Sequence, residues 1–226
     1  MQGKTIVITG AFGVLGRAVS ARAKAQGWKV AQIDFVPAPA DATGDIVLGG
    51  VDLGTLASAE KALNEVREKA GSVNALLNIA GGFAWRPFSE ADATTWQQMF
   101  DINVKTAVNA SKAALPHLIE ANGAIVNVGS AAALLVQAGQ GMGAYAASKA
   151  GVHKLTESLA EEYKGRVRVN AVLPSILDTP ANRRDMPNVD PAIWVAPEDL
   201  ANVMLFLASD AAKAMTGALV PVTGRV

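Results

Sequence analysis

The first informative feature of this 226-residue sequence is what it lacks. It contains no cysteine, which excludes thiol nucleophiles, disulfides, CxxC redox pairs and thiolate metal sites. His117 and His153 are the only histidines, too few for most zinc sites or histidine-based catalytic sites, and we expect no metal. An enzyme with this composition needs other side chains or a cofactor for its chemistry.

Charge is also scarce, and it is balanced. There are 20 basic and 20 acidic residues, and charged residues make up 18% of the chain, below the roughly 25% of an average soluble domain. A net charge of zero argues against a nucleic-acid partner, because binding to phosphates needs a basic excess. No signal peptide and no apolar run of about 18 residues is recognised, so we expect a cytoplasmic protein without a membrane partner.

What is present is a regular alternation of apolar strands and amphipathic helices. The β-branched run 5–9 is apolar on both faces, which is typical of a strand buried in a parallel sheet. Strands are predicted at 5–9, 28–34, 45–51, 73–79, 124–128, 167–173 and 218–222, and helices at 17–26, 55–70, 93–120 (interrupted at Pro116), 143–164 and 197–208. Residues 175–196 form the longest irregular stretch.

This alternation predicts the α/β class, with a single doubly wound Rossmann fold, a seven-stranded parallel sheet and helices on both faces. We expect residues 1–226 to form one domain that carries both the cofactor site and the substrate site.

A glycine-rich turn joins the first strand to the first helix. Gly10, Gly13 and Gly16 permit a tight turn and let backbone N–H groups approach a pyrophosphate. Asp34 ends the second strand 18 residues after Gly16, near the spacing of an acid that binds a ribose. Such a carboxylate repels a 2′-phosphate, so we predict NAD rather than NADP; a solvated loop aspartate is the alternative.

Tyr145 and Lys149 are four residues apart and lie on one face of a predicted helix. A phenol with a pKa near 10 is a poor base, but an ammonium group, helped by an oxidised nicotinamide, can lower that pKa by roughly 1–3 units. Ser130 follows a strand, at the sheet edge where ligands of such folds bind. Asn103 is a poor helix former inside a helix, and we expect it to cap a bend or bind water. The alternatives are a surface pair for Tyr145 and Lys149 and a helix cap for Ser130.

Together these residues resemble the short-chain dehydrogenase/reductase family over essentially the whole chain. The matching motifs, in order, are Thr9-Gly10-(x)5-Gly16, Asn78-Ile79-Ala80-Gly81, Asn103, Ser130, Tyr145-x-x-x-Lys149 and Asn170-Ala171-Val172-Leu173-Pro174. The resemblance implies that Tyr145 exchanges the proton of the substrate oxygen and that Ser130 polarises this oxygen. It implies that Lys149 lowers the tyrosine pKa and binds the nicotinamide ribose, while Asn103 holds a water of the proton relay.

The same resemblance implies which residues contact the dinucleotide. They are Gly10, Phe12, Gly13, Val14, Leu15, Gly16, Asp34, Phe35, Asp52, Leu53, Asn78, Ala80, Gly81, Tyr145, Lys149, Pro174, Ile176 and Thr179.

Three departures from the family pattern are similar to its dihydropteridine reductase branch, which uses NADH. The middle glycine, Gly13, falls one residue early, Ile79 interrupts the Asn-Ala-Gly segment, and Ser175 follows Pro174. That branch lacks the polarising serine, however, and this chain keeps Ser130. We therefore expect carbonyl or alcohol chemistry, with quinonoid dihydropterin reduction as the alternative.

The predicted function is an NAD(H)-dependent short-chain oxidoreductase that moves a hydride between nicotinamide and a small carbonyl or alcohol substrate. A non-catalytic dinucleotide-binding sensor is the alternative from a different class. Side chains in the loops could line an apolar substrate pocket or pack in the core: Phe83, Trp85, Met142, Met186 and Trp194.

Residues 180–197 are a candidate lid. In that loop Arg183 and Arg184 could attract an anionic substrate, although solvated charges are the simpler reading. The alanine-rich helices 93–120 and 143–164, through which related enzymes pair, suggest a homodimer or homotetramer; core packing within the monomer is the alternative explanation of the alanines.

Overall fold

Seven parallel strands form the sheet at the centre of the computed structural model, which describes residues 3–135 and 140–225. The strands are β1 (Thr5–Thr9), β2 (Lys29–Ile33), β3 (Ile46–Leu48), β4 (Ala75–Asn78), β5 (Ala124–Val128), β6 (Arg168–Pro174) and β7 (Leu219–Val222). Their order in the sheet is β3-β2-β1-β4-β5-β6-β7, and every neighbouring pair is parallel. The predicted seven-stranded Rossmann-like sheet is confirmed.

Helices cover both faces of this sheet. They are α1 (Val14–Ala25), α2 (Leu56–Ala70), α3 (Ala93–Phe100), α4 (Thr106–Ala121), α5 (Gly143–Glu162), α6 (Pro180–Asp185) and α7 (Pro197–Ala208). On one face, Ile6 and Ile8 of β1 pack in a core cluster with side chains of α1 and α7. On the other face, Val7 packs with side chains of α2 and α4. Both faces of β1 are therefore dry, as its uniformly apolar sequence indicates.

The strand order reverses between β1 and β4. From β1 the chain builds outward through β2 to β3, and from β4 it builds outward in the opposite direction to β7. The loops after β1 and β4 consequently leave the sheet in opposite directions and open a crevice at the carboxyl edge, where open α/β sheets bind their ligands.

Helix α1 begins at Val14, three residues before the predicted start, because Gly13 already occupies the N-cap position. Gly16 therefore lies inside the first helical turn, where a Cβ would stand 2.3 Å from the carbonyl oxygen of Gly10. Gly10 itself has φ +61°, and a Cβ there would stand 2.8 Å from the backbone nitrogen of Ala80. The missing side chains allow α1, the turn and the loop after β4 to approach one another closely.

The predicted break of helix 93–120 at Pro116 is wrong. Pro116 lies within α4 and is exposed, as is Lys112 one turn before it, so water can bond the carbonyl that the proline leaves free. The interruption lies earlier, at a π-helical turn over Asp101–Lys105 that contains Asn103. Such wide turns often occur at functional sites.

The segment 175–196 is less irregular than predicted. It contains α6, whose N-cap Thr179 accepts a hydrogen bond from the backbone N–H of Asn182, and Pro180 occupies the first helical position. A threonine followed by proline is a recognisable helix start, so this signal was available in the sequence.

The close approach at Gly16 leads to a stability prediction. Gly16→Ala should lower the free energy of unfolding by about 3 kcal/mol, because the new methyl group meets backbone atoms that cannot move aside. Gly13→Ala is the matched control, since a Cβ there meets only the Gly10 oxygen at 3.5 Å, an ordinary contact. We expect it to change stability by about 0.5 kcal/mol or less. Urea unfolding measures both; equal effects would contradict the packing described for this turn.

Candidate active site

The site lies where β1, β4, β5 and β6 end. The hydroxyl of Thr9, the last residue of β1, donates a hydrogen bond to the carbonyl of Leu77 and accepts bonds from the N–H groups of Ile79 and Ala80. This buried side chain ties the end of β1 to the loop after β4 and so positions Ala80 and Gly81. Thr9 is not among the predicted site residues, although it opens the glycine motif.

At the dinucleotide end, Asp34 faces the glycine turn. Its Oδ2 accepts a hydrogen bond from the N–H of Phe12 at 2.9 Å, and its Oδ1 accepts a weaker one from Val36 at 3.3 Å. In the described structure no side chain caps the N-terminus of α1, and Gly13 at that N-cap is exposed. An uncapped N-terminus with bare backbone suits a pyrophosphate, and the neighbouring carboxylate suits ribose hydroxyls.

The other predicted dinucleotide residues differ in accessibility. The exposed ones are Val14, Phe35, Asp52 and Gly81. The half-buried ones are Gly10, Phe12, Ala80, Ile176 and Thr179, and the buried ones are Leu15, Gly16, Leu53, Asn78 and Pro174. The amide group of Asn78 points into the protein and donates to Ser111 and Asn127. Its side chain therefore joins β4 to α4 and β5, so only the backbone of Asn78 is available to contact a ligand.

The structure brings Tyr145, Lys149 and Ser130 together. Tyr145 and Lys149 lie one turn apart on α5, and the Lys149 Nζ is 5.9 Å from the centre of the phenol ring. The ammonium group is buried and donates a 2.8 Å hydrogen bond to the carbonyl of Val128 at the end of β5. Ser130, two residues further on, lies close enough for its hydroxyl to lower the pKa of the Tyr145 phenol.

Burial controls the electrostatics of this group. It raises the pKa of Tyr145 above its ordinary value, while the Ser130 hydroxyl lowers it. Burial also lowers the pKa of Lys149 to about 8. The protein alone therefore does not lower the phenol pKa in the way expected for a tyrosine next to lysine, because desolvation outweighs the effect of the Ser130 hydroxyl.

The Asn103 amide forms hydrogen bonds within the protein through both its oxygen and its nitrogen. Its Oδ1 accepts from the N–H of Gly82 at 3.0 Å, and its Nδ2 donates to the Gly82 carbonyl and to the Ser148 hydroxyl. The side chain clamps the loop after β4 to helix α5. The neighbouring Gly81 has no room for a side chain, because a Cβ would lie 2.7 Å from this Oδ1 and 3.5 Å from the Lys149 Nζ.

His153 is a buried site neighbour that the sequence patterns do not single out. It lies on α5 one turn after Lys149, and its Nε2 accepts a hydrogen bond from the backbone N–H of Ser130 at 3.2 Å. The spacing of Tyr145, Lys149 and His153, four residues each, was the available signal.

Of the predicted pocket residues, Phe83 packs directly against Tyr145. Its ring meets the Tyr145 ring edge-on, with 5.0 Å between centroids, and it is exposed. Trp85 is also exposed and packs against Gly141; Met142 and Met186 are half-buried, and Trp194 is buried.

Arg183 does not face the site as a free cation, because its guanidinium binds both carboxylate oxygens of Asp178, at 2.6 and 2.7 Å. Arg184 is exposed and lies 3.4 Å from Asp185. The pairing of Arg183 favours the reading of a solvated loop charge.

Within residues 3–135 and 140–225, no three His, Cys, Asp or Glu side chains gather as metal ligands. None of the helices in the same residues has the length and apolar character needed to span a membrane.

Residues 4–190 match the family described as short chain dehydrogenase. The chain belongs to this family. It is 36% identical to the meso-2,3-butanediol dehydrogenase of Serratia marcescens, over 98% of this chain and 93% of that protein. It is 33% identical to a 2-(S)-hydroxypropyl-CoM dehydrogenase of Xanthobacter autotrophicus, over 99% and 96%.

Among solved structures, the carveol dehydrogenase of Mycobacterium avium in complex with NAD is similar, with a TM-score of 0.86 and 25% identity over 99% of this chain and 97% of that one. Short-chain dehydrogenases bind nicotinamide dinucleotides, and this chain is an oxidoreductase of that family.

The buried Lys149 leads to a prediction about pH. Its folded pKa of about 8 lies below the ordinary 10.5, so between these pH values the unfolded chain binds more protons than the folded chain. The free energy of unfolding should therefore rise with pH, by at most about 1.4 kcal/mol per unit. Lys149→Met should remove this rise.

The measurement is urea unfolding of both proteins between pH 7 and 10. The difference in stability between wild type and Lys149→Met should be constant below pH 7 and shift in favour of the wild type above pH 8. Lys154→Met, on an exposed part of the same helix, should follow the wild-type curve. A difference that stays constant up to pH 10 would contradict the desolvation of Lys149.

Proposed function

We propose that this short-chain dehydrogenase is NAD(H)-dependent and interconverts a small carbonyl compound and its alcohol, with Tyr145 as general acid and base. The observation that carries the proposal is the meeting of three groups at the carboxyl edge of β5: the Tyr145 phenol, the Ser130 hydroxyl and the Lys149 ammonium. Two neighbouring O–H groups beside a buried cation are suited to bind one oxygen atom and move its proton.

In this proposal each side chain has a separate task. Ser130 binds the substrate oxygen; its Oγ already accepts from the N–H of Ala132, which leaves its proton for donation. Tyr145 gives its proton to that oxygen in reduction and takes it back in oxidation. Lys149 places positive charge near the phenol, and Asn103 holds the loop over the site in place.

The dinucleotide, when bound, supplies or accepts the hydride. The predicted contact residues would hold it: the uncapped start of α1 at Gly13 and Val14 for the pyrophosphate, Asp34 for the adenosine ribose, and Lys149 for the nicotinamide ribose. Asp34 supports NAD over NADP, because its charge disfavours a 2′-phosphate.

We propose further that residues 1–226 act as one domain with both sites, since every predicted catalytic and dinucleotide residue belongs to the one sheet or to the loops and helices that connect its strands. A homodimer or homotetramer is part of the same proposal. It is supported by exposed apolar side chains along α3, the π-helical turn and α4, namely Phe100, Ile102 and Val108.

Tyr145→Phe tests the catalytic assignment. Removing the phenol oxygen should lower kcat/KM at least about 100-fold and affect NADH affinity far less, because the ring still packs against Phe83 and the other dinucleotide residues are kept. Turnover is measured with NADH and a panel of small carbonyl compounds and a quinonoid dihydropterin. Tyr163→Phe, which alters the only other tyrosine, is the control and should keep full activity.

Each contrary outcome points to a different function. Unchanged turnover in Tyr145→Phe would remove the tyrosine from the chemistry. NADH binding without turnover in the wild type would favour the sensor, and turnover of the dihydropterin alone would favour a dihydropteridine reductase.

Asp34→Asn tests the cofactor preference. We expect the wild type to bind NADH at least about tenfold more tightly than NADPH. In the variant this affinity ratio should fall by about the same factor, because the neutral asparagine no longer repels the 2′-phosphate of NADPH. The asparagine oxygen can still accept the Phe12 N–H, so the turn keeps its shape. Affinities come from the fluorescence of the bound dinucleotides; tighter NADPH binding by the wild type would refute the role given to Asp34.

A further inference from the structure

His153 is a buried titratable group that the proposed mechanism leaves unused. It is 5% exposed and lies on α5, on the same face as Tyr145 and Lys149 and one turn beyond the lysine. Because buried polar groups are nearly always hydrogen-bonded, the ring nitrogens of a buried histidine need partners. Here the partner of Nε2 is the backbone of the predicted catalytic serine.

The contact is specific in its geometry. The N–H of Ser130 points to the Nε2 of His153 at 3.2 Å, at the point where β5 ends. The ring fits only because residue 129 is a glycine: a Cβ there would lie 2.4 Å from Nε2. Ser130 is thus held at its backbone by His153, while its hydroxyl accepts from the N–H of Ala132 and lowers the pKa of the Tyr145 phenol.

This hydrogen bond depends on the charge of the ring. Nε2 can accept only in the neutral imidazole that carries its proton on Nδ1; protonation would turn two N–H donors toward each other. Burial and the Lys149 ammonium lower the pKa of His153, and Glu157 on the same helix raises it. The turn and β6 contribute Gly129, Ser130 and Leu173 to these surroundings, none of which titrates. The ring is therefore neutral at neutral pH and becomes charged in acid.

We propose that His153 is a positioning residue: its neutral imidazole holds the backbone of Ser130 so that the serine hydroxyl meets the Tyr145 phenol, and protonation of the ring in acid releases Ser130 and reduces turnover. The inference rests on the proposed function for its catalytic consequence, but the contact itself is measured without substrate.

The first test uses the two histidines of the chain. Protein labelled with ¹⁵N in its histidine rings gives signals from His117 and His153 only, and His117→Asn leaves those of His153. We expect these to report an unprotonated Nε2 at pH 7 and a titration below the ordinary pKa of about 6.5. A proton on Nε2 at pH 7 would overturn the proposal.

The second test compares two replacements by hydrogen exchange at the Ser130 amide. Gln offers an acceptor that does not titrate, and Leu offers none. At pH 7 the amide should exchange about five- to tenfold faster in His153→Leu than in the wild type, as expected for loss of one buried hydrogen bond. His153→Gln should restore the protection. Equal protection in all three proteins would show that the ring only fills space, and so overturn the proposal.

The third test is the pH profile of turnover. With a carbonyl substrate from the panel, His153→Leu should lower kcat about tenfold with little change in the KM for NADH, and His153→Gln should recover activity and lose the decline in acid. His117→Asn should keep the wild-type profile. An acid decline that persists in His153→Gln would overturn the catalytic part. If the wild type turns over no substrate, the proposed function fails, and the ring spectrum and exchange still decide whether His153 holds Ser130.

Discussion

The contact between helix α5 and the end of β5 is the constraint on which the rest of the site depends. Two hydrogen bonds of opposite direction bracket Gly129: Lys149 donates to the carbonyl of Val128, and His153 accepts from the N–H of Ser130. Both partners are backbone groups at the point where the strand ends, and burial strengthens the requirement that they be bonded. The spacing of Tyr145 and Ser130 follows from this contact.

The site is assembled at a cost to stability. The buried Lys149 ammonium donates a hydrogen bond to a neutral carbonyl, which compensates little of the cost of burying its charge. The fall of its pKa to about 8 reflects that cost. Burial acts on Tyr145 in the opposite sense and raises its pKa. A packed apolar residue in place of Lys149 would avoid this penalty, so the buried lysine fits the chemical role proposed for it and does not serve folding.

Much of the fold follows from the sequence because its signals are local. The apolar run of β1 and the glycines of the turn each point to one structure, and the strand–helix alternation leaves few topologies open. The gathering of Tyr145, Lys149 and Ser130 also follows, since i and i+4 positions share a helix face and parallel strands end at one edge.

Other features depend on tertiary contacts that no local pattern encodes. The bonds of Asn103 to Gly82 and Ser148 join three separate elements, and the partner of His153 lies 23 residues away in the sequence. The continuity of α4 through Pro116 depends on that position facing solvent. The direction of the Tyr145 pKa shift depends on how completely the phenol is desolvated, which spacing alone does not reveal.

The π-helical turn over Asp101–Lys105 fixes the rotational phase of two helices at once. Each residue of an α-helix advances by about 100° around its axis, and a π turn takes up one residue without that advance. Asn103 can therefore point at Gly82 while Ala110 and Leu118 still point into the core. Removing one residue here would restore a regular helix but would rotate either Asn103 away from Gly82 or Ala110 and Leu118 out of the core. The number of residues in this segment is therefore as constrained as their chemical identity.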